Sequence, residues 1–481
     1  MRKPLIFNLL AILILGCAAE TAAQNSAPPA PFGPIPDARQ LAWQKMETYM
    51  FVHFGPNTFT NVEWGSGAEN PEVFNPTDLD CRQWAATAKA AGMKGIIITA
   101  KHHDGFCLWP SKFSEHTVAR SLWKNGQGDV LRELSDACRE YGLKFGVYLS
   151  PWDRNHPTYG TADYNQVFVN MLDEVLGNYG EVFEQWFDGA NGEGPNGKKQ
   201  VYDWPLFNST VNRLQAKAMI FSDVGPDCRW VGNENGVMGE TNWSRLTTEG
   251  FTPGWGAPDT KTLNTGQIDG ARWLPGEADV SIRPGWFYSP ETDNNVKSLR
   301  QLLNIYYTSA GRNANLLLNV PPDTRGHIHS NDSVRLVEFR AALDRIFSVN
   351  LAAKAKITAS ETRANSPLFG ATNLLDGNFD TYWAADDGQT KAEITIDLGK
   401  ETAFNRLLIQ EYIPLGQRVK QFSVDYWDGS QWLTIARQTT VGYKRILCLP
   451  RVKTKKIRIS IEDALACPII SEIGCYLDDI Q

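Results

Sequence analysis

At 481 residues the chain exceeds a single ordinary domain, and one domain per roughly 150 residues leaves room for a large barrel and a smaller unit. The 42% hydrophobic and 21% charged fractions are those of a globular protein with ample core, rich in aromatics with 16 Trp, 15 Tyr and 22 Phe. With 47 basic against 54 acidic residues the net charge is -7, and no basic stripe runs along the chain, which excludes nucleic acid as a partner.

The N-terminus reads Met1-Arg2-Lys3, then an apolar run from Leu5 to Leu15, then Gly16-Cys17, the layout of a bacterial export signal. The run is too short to span a bilayer. Ile14-Leu15-Gly16-Cys17 resembles a lipobox, which predicts an acylated Cys17 and an exported bacterial protein, periplasmic or anchored at the cell surface by lipid; cleavage after Ala23 is the alternative. Residues 1–23 are therefore assigned to a signal, and the Ala/Pro/Ser-rich stretch around them to a linker. Beyond Cys17, the cysteines at 81, 107, 138, 228, 448, 467 and 475 show no CxxC spacing, so neither a disulfide framework nor a zinc site is indicated.

From Phe51 to Pro321 short apolar runs alternate with amphipathic stretches that stop at glycine. The runs "YMFVHFG", "KGIIITAKHHDG", "KFGVYLSPWD", "VFEQWFDG" and "MIFSDVG" predict strands, with "LDCRQWAATAKAAG", "VLRELSDACREYG", "YNQVFVNMLDEVLGNYG" and "PLFNSTVNRLQAKA" as the helices between them. This alternation predicts a parallel sheet with right-handed crossovers closing into a (β/α)8-like, TIM-type barrel over residues 36–345. Residues 228–277, rich in Gly, Trp and Asn, predict long loops over one barrel face; "ADVSIRPGWFY" and "NANLLLNVPP" are later strand candidates. From Lys356 the pattern changes to period-two alternation with turn signals, as in "AEITIDLG", "FNRLLIQEYI", "QFSVDYWDGSQW" and "KKIRISIED", which predicts an antiparallel β-sandwich over residues 350–481.

The predicted barrel strands end in polar or aromatic residues: His53; His102, His103 and Asp104; Tyr148, Trp152 and Asp153; Trp186 and Asp188; Asp223. In a (β/α)8 barrel the C-terminal strand ends face one mouth, so these side chains converge despite their separation in sequence. A metal held by His53, His102, His103 and Asp188 is disfavoured, because adjacent histidines on a strand point to opposite faces and no HxH or HExxH pattern occurs. Absence of a GxSxG elbow argues against serine chemistry. Carboxylate chemistry between aromatic walls remains, which is what glycoside hydrolysis requires: one carboxylate ionised as nucleophile and a second protonated as acid. Asp188 suits the first role; Glu234, Glu240 and Glu249, in the loop region, are candidates for the second.

"FVHFGPNTFTNVEWGSG", "AKHHDGFCLWPSKFSEHTV", "KFGVYLSPWDRN", "WFDGANG" and "LLLNVPPDTRG" together resemble the α-L-fucosidases of glycoside hydrolase family 29, over roughly residues 36 to 345. "RWVGNENG" and "IRPGWFY" resemble the branch that cleaves α-1,3/1,4-linked fucose from Lewis-type glycans. The resemblance implies a retaining exo-fucosidase with Asp188 as nucleophile and Glu234 as acid/base, Glu240 being the fallback. It implies that His53, Glu63, Trp64, His102 and His103 bind the fucose hydroxyls, that Tyr148 and Trp186 line the pocket, and that Trp286 packs on the C5 methyl side. Arg283 and Trp286 reach this pocket only if "IRPGWFY" is a barrel strand. Neither cofactor nor metal is implied for catalysis. A glycan-binding lipoprotein without activity and a metal-dependent barrel hydrolase are the alternatives from other classes.

"ATNLLDGNFDTYWAAD" and "IISEIGCYL" resemble the discoidin-like, coagulation factor 5/8 C-type or carbohydrate-binding module family 32 sandwich. That resemblance implies a structural Ca²⁺ held by Asp376, Thr381 and Glu472 side chains and by the Asn373 and Asn378 carbonyls, an oxygen-rich set that suits this ion. Tyr412, Arg418 and Tyr443 are possible sugar contacts.

Overall fold

Short strands that are apolar on both faces can be buried only in a sheet covered on both sides, and eight of them close here into a parallel barrel. The computed structural model describes residues 27–254 and 258–480. In chain order the barrel strands are β1 (Thr48–Val52), β2 (Gly95–Lys101), β3 (Lys144–Leu149), β4 (Val182–Trp186), β5 (Met219–Ser222), β6 (Cys228–Trp230), β7 (Gly276–Ser281) and β8 (Ala314–Asn319). Each pairs with its sequence neighbours, and β1 closes the ring against β8 with Thr48 opposite Leu316. This is the expected (β/α)8-like arrangement.

Three of the helices between strands start where an aspartate satisfies their free N–H groups. Asp80 accepts from Arg82 and Gln83 ahead of Cys81–Ala90, Asp129 from Arg132 ahead of Val130–Tyr141, and Asp203 from Leu206 ahead of Trp204–Leu214. Inside the barrel Tyr49, Phe51, Ile97, Tyr148, Phe183, Trp186, Phe221 and Leu317 form a largely aromatic core. Against its β2–β3 side lies a buried ion pair: Lys101 Nζ reaches Asp153 Oδ2 at 2.9 Å, and both meet the Tyr164 hydroxyl.

Two expectations need correction here. The segment read as loops opens with β6, whose three residues carry no detectable alternation. The stretch "IRPGWFY" is not a strand, because β7 ends at Ser281 and Pro284 cannot join a ladder. Arg283 and Trp286 therefore sit on the loop that follows.

Residues 36–345 form one compact unit; residues 27–35 and 346–479 form the other. The second is an antiparallel sandwich of β9 (Lys356–Ala359), β10 (Trp383–Ala384), β11 (Ala392–Glu411), β12 (Val419–Trp427), β13 (Trp432–Thr439), β14 (Arg445–Ala464) and β15 (Ile469–Tyr476). The strands β11 and β14 run for 20 residues each, and register shifts between Asp397/Thr402 and Phe404/Arg406 bend them. One half of β11 pairs with β9 and the other with β15, around a core that includes Trp383, Ile394, Ile409, Phe422 and Ile459. The signal and Cys17 fall outside the described residues, while the stretch expected to be a free linker is tied down from residue 27. Arg363 Nε donates to the Ala27 carbonyl, Arg418 Nη2 to that of Ala30, and Phe32 N to that of Leu415. Arg418 is 1% exposed and also bonds the Cys467 and Leu415 carbonyls, which removes it from the possible sugar contacts.

Candidate active site

Strand β4 delivers the chain directly to Asp188, and the glycine after it is required by space. A Cβ at Gly189 would lie 2.2 Å from Asp223 Oδ1. The Asp188 carboxylate is gripped at both oxygens: Ala190 N donates to Oδ1 at 2.8 Å and the Tyr148 hydroxyl to Oδ2 at 3.0 Å. Burial pushes its pKa above the usual carboxylate range, and those two donors pull it back toward the ionised form.

Glu234, on the loop after β6, lines the same cavity as Asp188, together with Trp186, Phe221, Asp223, Trp230 and Asp279, around some 500 Å³ of space that opens to solvent. The residue is exposed at the cavity mouth, yet partial desolvation and the Asp188 charge raise its pKa, while the Trp286 side chain works in the opposite direction. The other acid candidates do not line this cavity: the Glu240 side chain is 68% exposed and lies 3.5 Å from Arg312, and Glu249 is exposed.

Three imidazoles gather beside Asp188. His53 Nδ1 meets Asn319 Oδ1 at 2.9 Å; because Asn319 Nδ2 already donates to Ser281 and the Trp286 carbonyl, the imidazole is the donor and its Nε2 remains an acceptor. His103 Nδ1 lies 2.8 Å from Ser150 Oγ, which itself donates to the Trp152 carbonyl. His103 Nε2 is thereby left an acceptor, 3.6 Å from Asp188 Oδ2. His102 stacks on Tyr148 at 5.8 Å, and its buried Nδ1 has no hydrogen-bond partner among the described residues. Burial lowers all three pKa values, to about 3 for His53 and His103, so the rings are neutral. The histidines at 102 and 103 follow the end of β2, so strand alternation does not separate them, contrary to expectation; their rings are 4.2 Å apart.

The walls are aromatic. Trp186 stacks between Phe221 at 4.1 Å and Tyr148 at 5.1 Å, with its Nε1 bonded to Glu277. Trp286 packs on His53 at 5.1 Å, and its backbone N donates to Glu63 Oε2 at 2.8 Å. Trp64, 58% exposed, stands over His103 and Trp152 at the rim. Arg283 is the site residue that the structure removes. Its guanidinium is buried against Asp332, Asp293 and Thr292, where it braces the loop after β7. Asp153 is engaged with Lys101 and belongs to the framework. Asp279 and Trp230 line the cavity and were missed, because β6 was not recognised and Asp279 sits in mid-strand rather than at a strand end.

The calcium-type loop lies wholly in the sandwich unit. Thr381 Oγ1 donates to Asp376 Oδ2 at 2.6 Å, Asn378 N to Asp376 Oδ1 at 2.9 Å, and Gly377 N to Glu472 Oε2 at 3.1 Å. Burial and the Asp376 charge push Glu472 up to about 7. Two carboxyls that disfavour each other, one on the loop at Asp376 and one on β15 at Glu472, fit a divalent cation. Asn373 spends its amide on the Leu368 and Tyr382 carbonyls, shaping the loop through its side chain.

A parallel barrel that gathers two carboxyls, neutral imidazoles and aromatic walls at one mouth is the architecture of a barrel glycoside hydrolase. Residues 36–345 match the α-L-fucosidase family and residues 356–473 the F5/8 type C domain. A rice protein assigned as an α-L-fucosidase is 44% identical over 97% of this chain and 89% of its own length; Arabidopsis thaliana α-L-fucosidase 1 is 42% identical over 98% and 94%. A Ruminococcus gnavus GH29 fucosidase solved in complex with fucose superposes with a TM-score of 0.86 at 36% identity, covering 94% of this chain and 96% of that one. The chain belongs to glycoside hydrolase family 29 and is an α-L-fucosidase carrying a C-terminal discoidin-like domain. The plant relatives correct the expectation of a bacterial surface lipoprotein. Plant enzymes match it over nearly the whole chain, so family likeness does not single out a bacterial source or a lipobox anchor at Cys17.

Proposed function

We propose that the enzyme removes terminal α-1,3/1,4-linked L-fucose from Lewis-type glycans with retention of configuration, Asp188 acting as nucleophile and Glu234 as acid/base. The observation that carries this reading is the sharing of one cavity by the two carboxyls, with Asp188 held by two donors and Glu234 raised in pKa. In the first step the anomeric carbon bonds to an Asp188 oxygen while Glu234 gives its proton to the departing glycosidic oxygen. In the second, water attacks the glycosyl-enzyme ester, returns a proton to Glu234 and frees Asp188. Positive charge that develops at the anomeric carbon lies against the ionised Asp188.

The fucose hydroxyls are the fitting partners for the neutral imidazoles. A hydroxyl can donate to His103 Nε2 or Asp188 Oδ2, two acceptors that face each other at 3.6 Å, and others can meet His53 Nε2 and the orphaned His102 Nδ1. Glu63 and Trp64 close this side at the rim, and Trp286 presents an apolar face to the deoxy carbon. In the sandwich, Asp376, Thr381, Glu472 and the Asn373 and Asn378 carbonyls would hold a structural Ca²⁺.

The test is fucose release from an aryl α-L-fucoside and from Lewis a and Lewis x trisaccharides, with and without chelator. Asp188→Ala abolishes turnover, and azide restores it with an inverted fucosyl azide product. Full activity in that variant would refute the nucleophile, and cleavage confined to α-1,2 linkages would refute the substrate class.

A further inference from the structure

A third carboxyl, the buried one of Asp279, lines the catalytic cavity and has no part in the scheme above. Asp279 belongs to β7, is 4% exposed, and accepts a hydrogen bond from the Trp230 indole Nε1 at 2.9 Å on its Oδ1. Asp188, Asp223, Glu234 and Asp279 face this one space, and neither lysine nor arginine is among the described residues that line it. Four carboxyls without a cation cannot all ionise at modest cost, and the one with least access to water keeps its proton most firmly. Burial, then the Glu234 charge, pushes Asp279 well above the usual range. The loop that carries Glu234 is fastened beside Asp279: Asn235 pairs with Val280 in an isolated antiparallel bridge. Gly236, at φ +70°, lies against Val280 so closely that a Cβ would sit 2.9 Å from its Cγ1. In antiparallel register Glu234 falls opposite Ser281 and Asp279 opposite Gly236, so the two acids are diagonal neighbours on one face, a spacing of about 7–8 Å that long side chains span.

The geometry points to Asp279 as a positioning residue for Glu234, its neutral carboxyl offering an O–H to the carboxylate that forms when Glu234 surrenders its proton. Trp230, by occupying Oδ1 as a donor, leaves the hydrogen on Oδ2. This rests on the reading of Glu234 as the proton carrier, and it gives that residue a stable charged form between the two chemical steps. A structural Asp279 would do no more than satisfy Trp230.

Three variants and two readouts separate these roles. The variants are Asp279→Leu, Asp279→Asn and Trp230→Phe. The readouts are the pH profile of kcat/KM on a fucoside and the titration of the Glu234 carboxyl by side-chain ¹³C NMR, with its resonance assigned by loss in Glu234→Gln. Asp279→Leu and Trp230→Phe move the Glu234 titration to higher pH, because a donor to its charged form is lost or misdirected, and lower kcat roughly tenfold with little change in KM. Asp279→Asn, which keeps an acceptor for Trp230 and an N–H for Glu234, restores both readouts. An unmoved Glu234 titration in Asp279→Leu and Trp230→Phe overturns the proposal, as does an Asp279→Asn enzyme as impaired as Asp279→Leu. If Asp279→Leu does not fold, Trp230→Phe decides. The NMR titration needs no turnover, so an inactive wild-type chain would sink the Lewis-fucosidase scheme while the role of Asp279 is still judged.

Discussion

Replacing Tyr148 by Phe removes one hydroxyl from the barrel interior, and the structure locates the consequence at Asp188. Tyr148 is 1% exposed, so the ring of the replacement fills the same space and the change in packing is one oxygen atom. That oxygen donates to Asp188 Oδ2 at 3.0 Å and is one of the two groups that hold the Asp188 pKa down against burial. Its loss raises the pKa, so the acid limb of the kcat/KM profile moves to higher pH. A hydrogen bond to a charged group contributes about 1.5–3 kcal/mol, and because the Ala190 N–H remains, the lower end applies. About 1.5–2 kcal/mol corresponds to roughly 10–30-fold in kcat/KM at a pH below the limb, with much smaller effects on the plateau. The assay is the full pH profile on a Lewis trisaccharide for both proteins. An acid limb that stays in place, or moves to lower pH, would refute the assignment of Tyr148 as the group that keeps Asp188 ionised.

Trp286→Phe keeps the ring beside His53 but loses the indole N–H that pulls the Glu234 pKa down, so the alkaline limb should move to higher pH; movement to lower pH in the same profile would contradict the contact. Lys101→Met strands Asp153 in the core, where both partners are at most 1% exposed, and should cost about 3–5 kcal/mol in urea melts at neutral pH. Asp153 is held below its usual pKa despite its burial, so the stability it contributes is present above the ordinary carboxylate range and is lost as pH falls through its own titration. The penalty of Lys101→Met should accordingly shrink in acid melts, and a pH-independent penalty would rule that account out. Added Ca²⁺ should raise the melting temperature of the sandwich more at pH 8, where Glu472 with its pKa of about 7 is ionised, than at pH 6; chelator should reverse the gain and Asp376→Ala should abolish it. A thermal shift identical at the two pH values would argue against Glu472 as a ligand.

Much of the barrel was legible before any coordinates because its strands are apolar runs bounded by polar residues, and its helices carry Asp caps and glycine stops. What failed was local in cause. Strand β6 is three residues long, too short for any period to register, and Trp230 at its end was lost with it, whereas Asp279 lies in mid-strand, where no strand-end pattern points to it. Arg283 was misplaced because a proline follows it and ends the strand that would have aimed it inward. The adjacent histidines at 102 and 103 were expected to diverge, yet they lie just past the end of β2, where alternation no longer governs.

The order of residues, by itself, determined the alternation of elements, the change of texture near residue 350 and the placing of Asp188 at a strand terminus, since these depend on neighbours within a few positions. Only the tertiary structure decided which carboxyl shares a cavity with Asp188, which nitrogen of each imidazole is left to accept, and which charged groups serve the framework. Such matters turn on groups 40 to 266 residues apart meeting within hydrogen-bonding distance, and on the burial that then sets their protons; no local pattern encodes either.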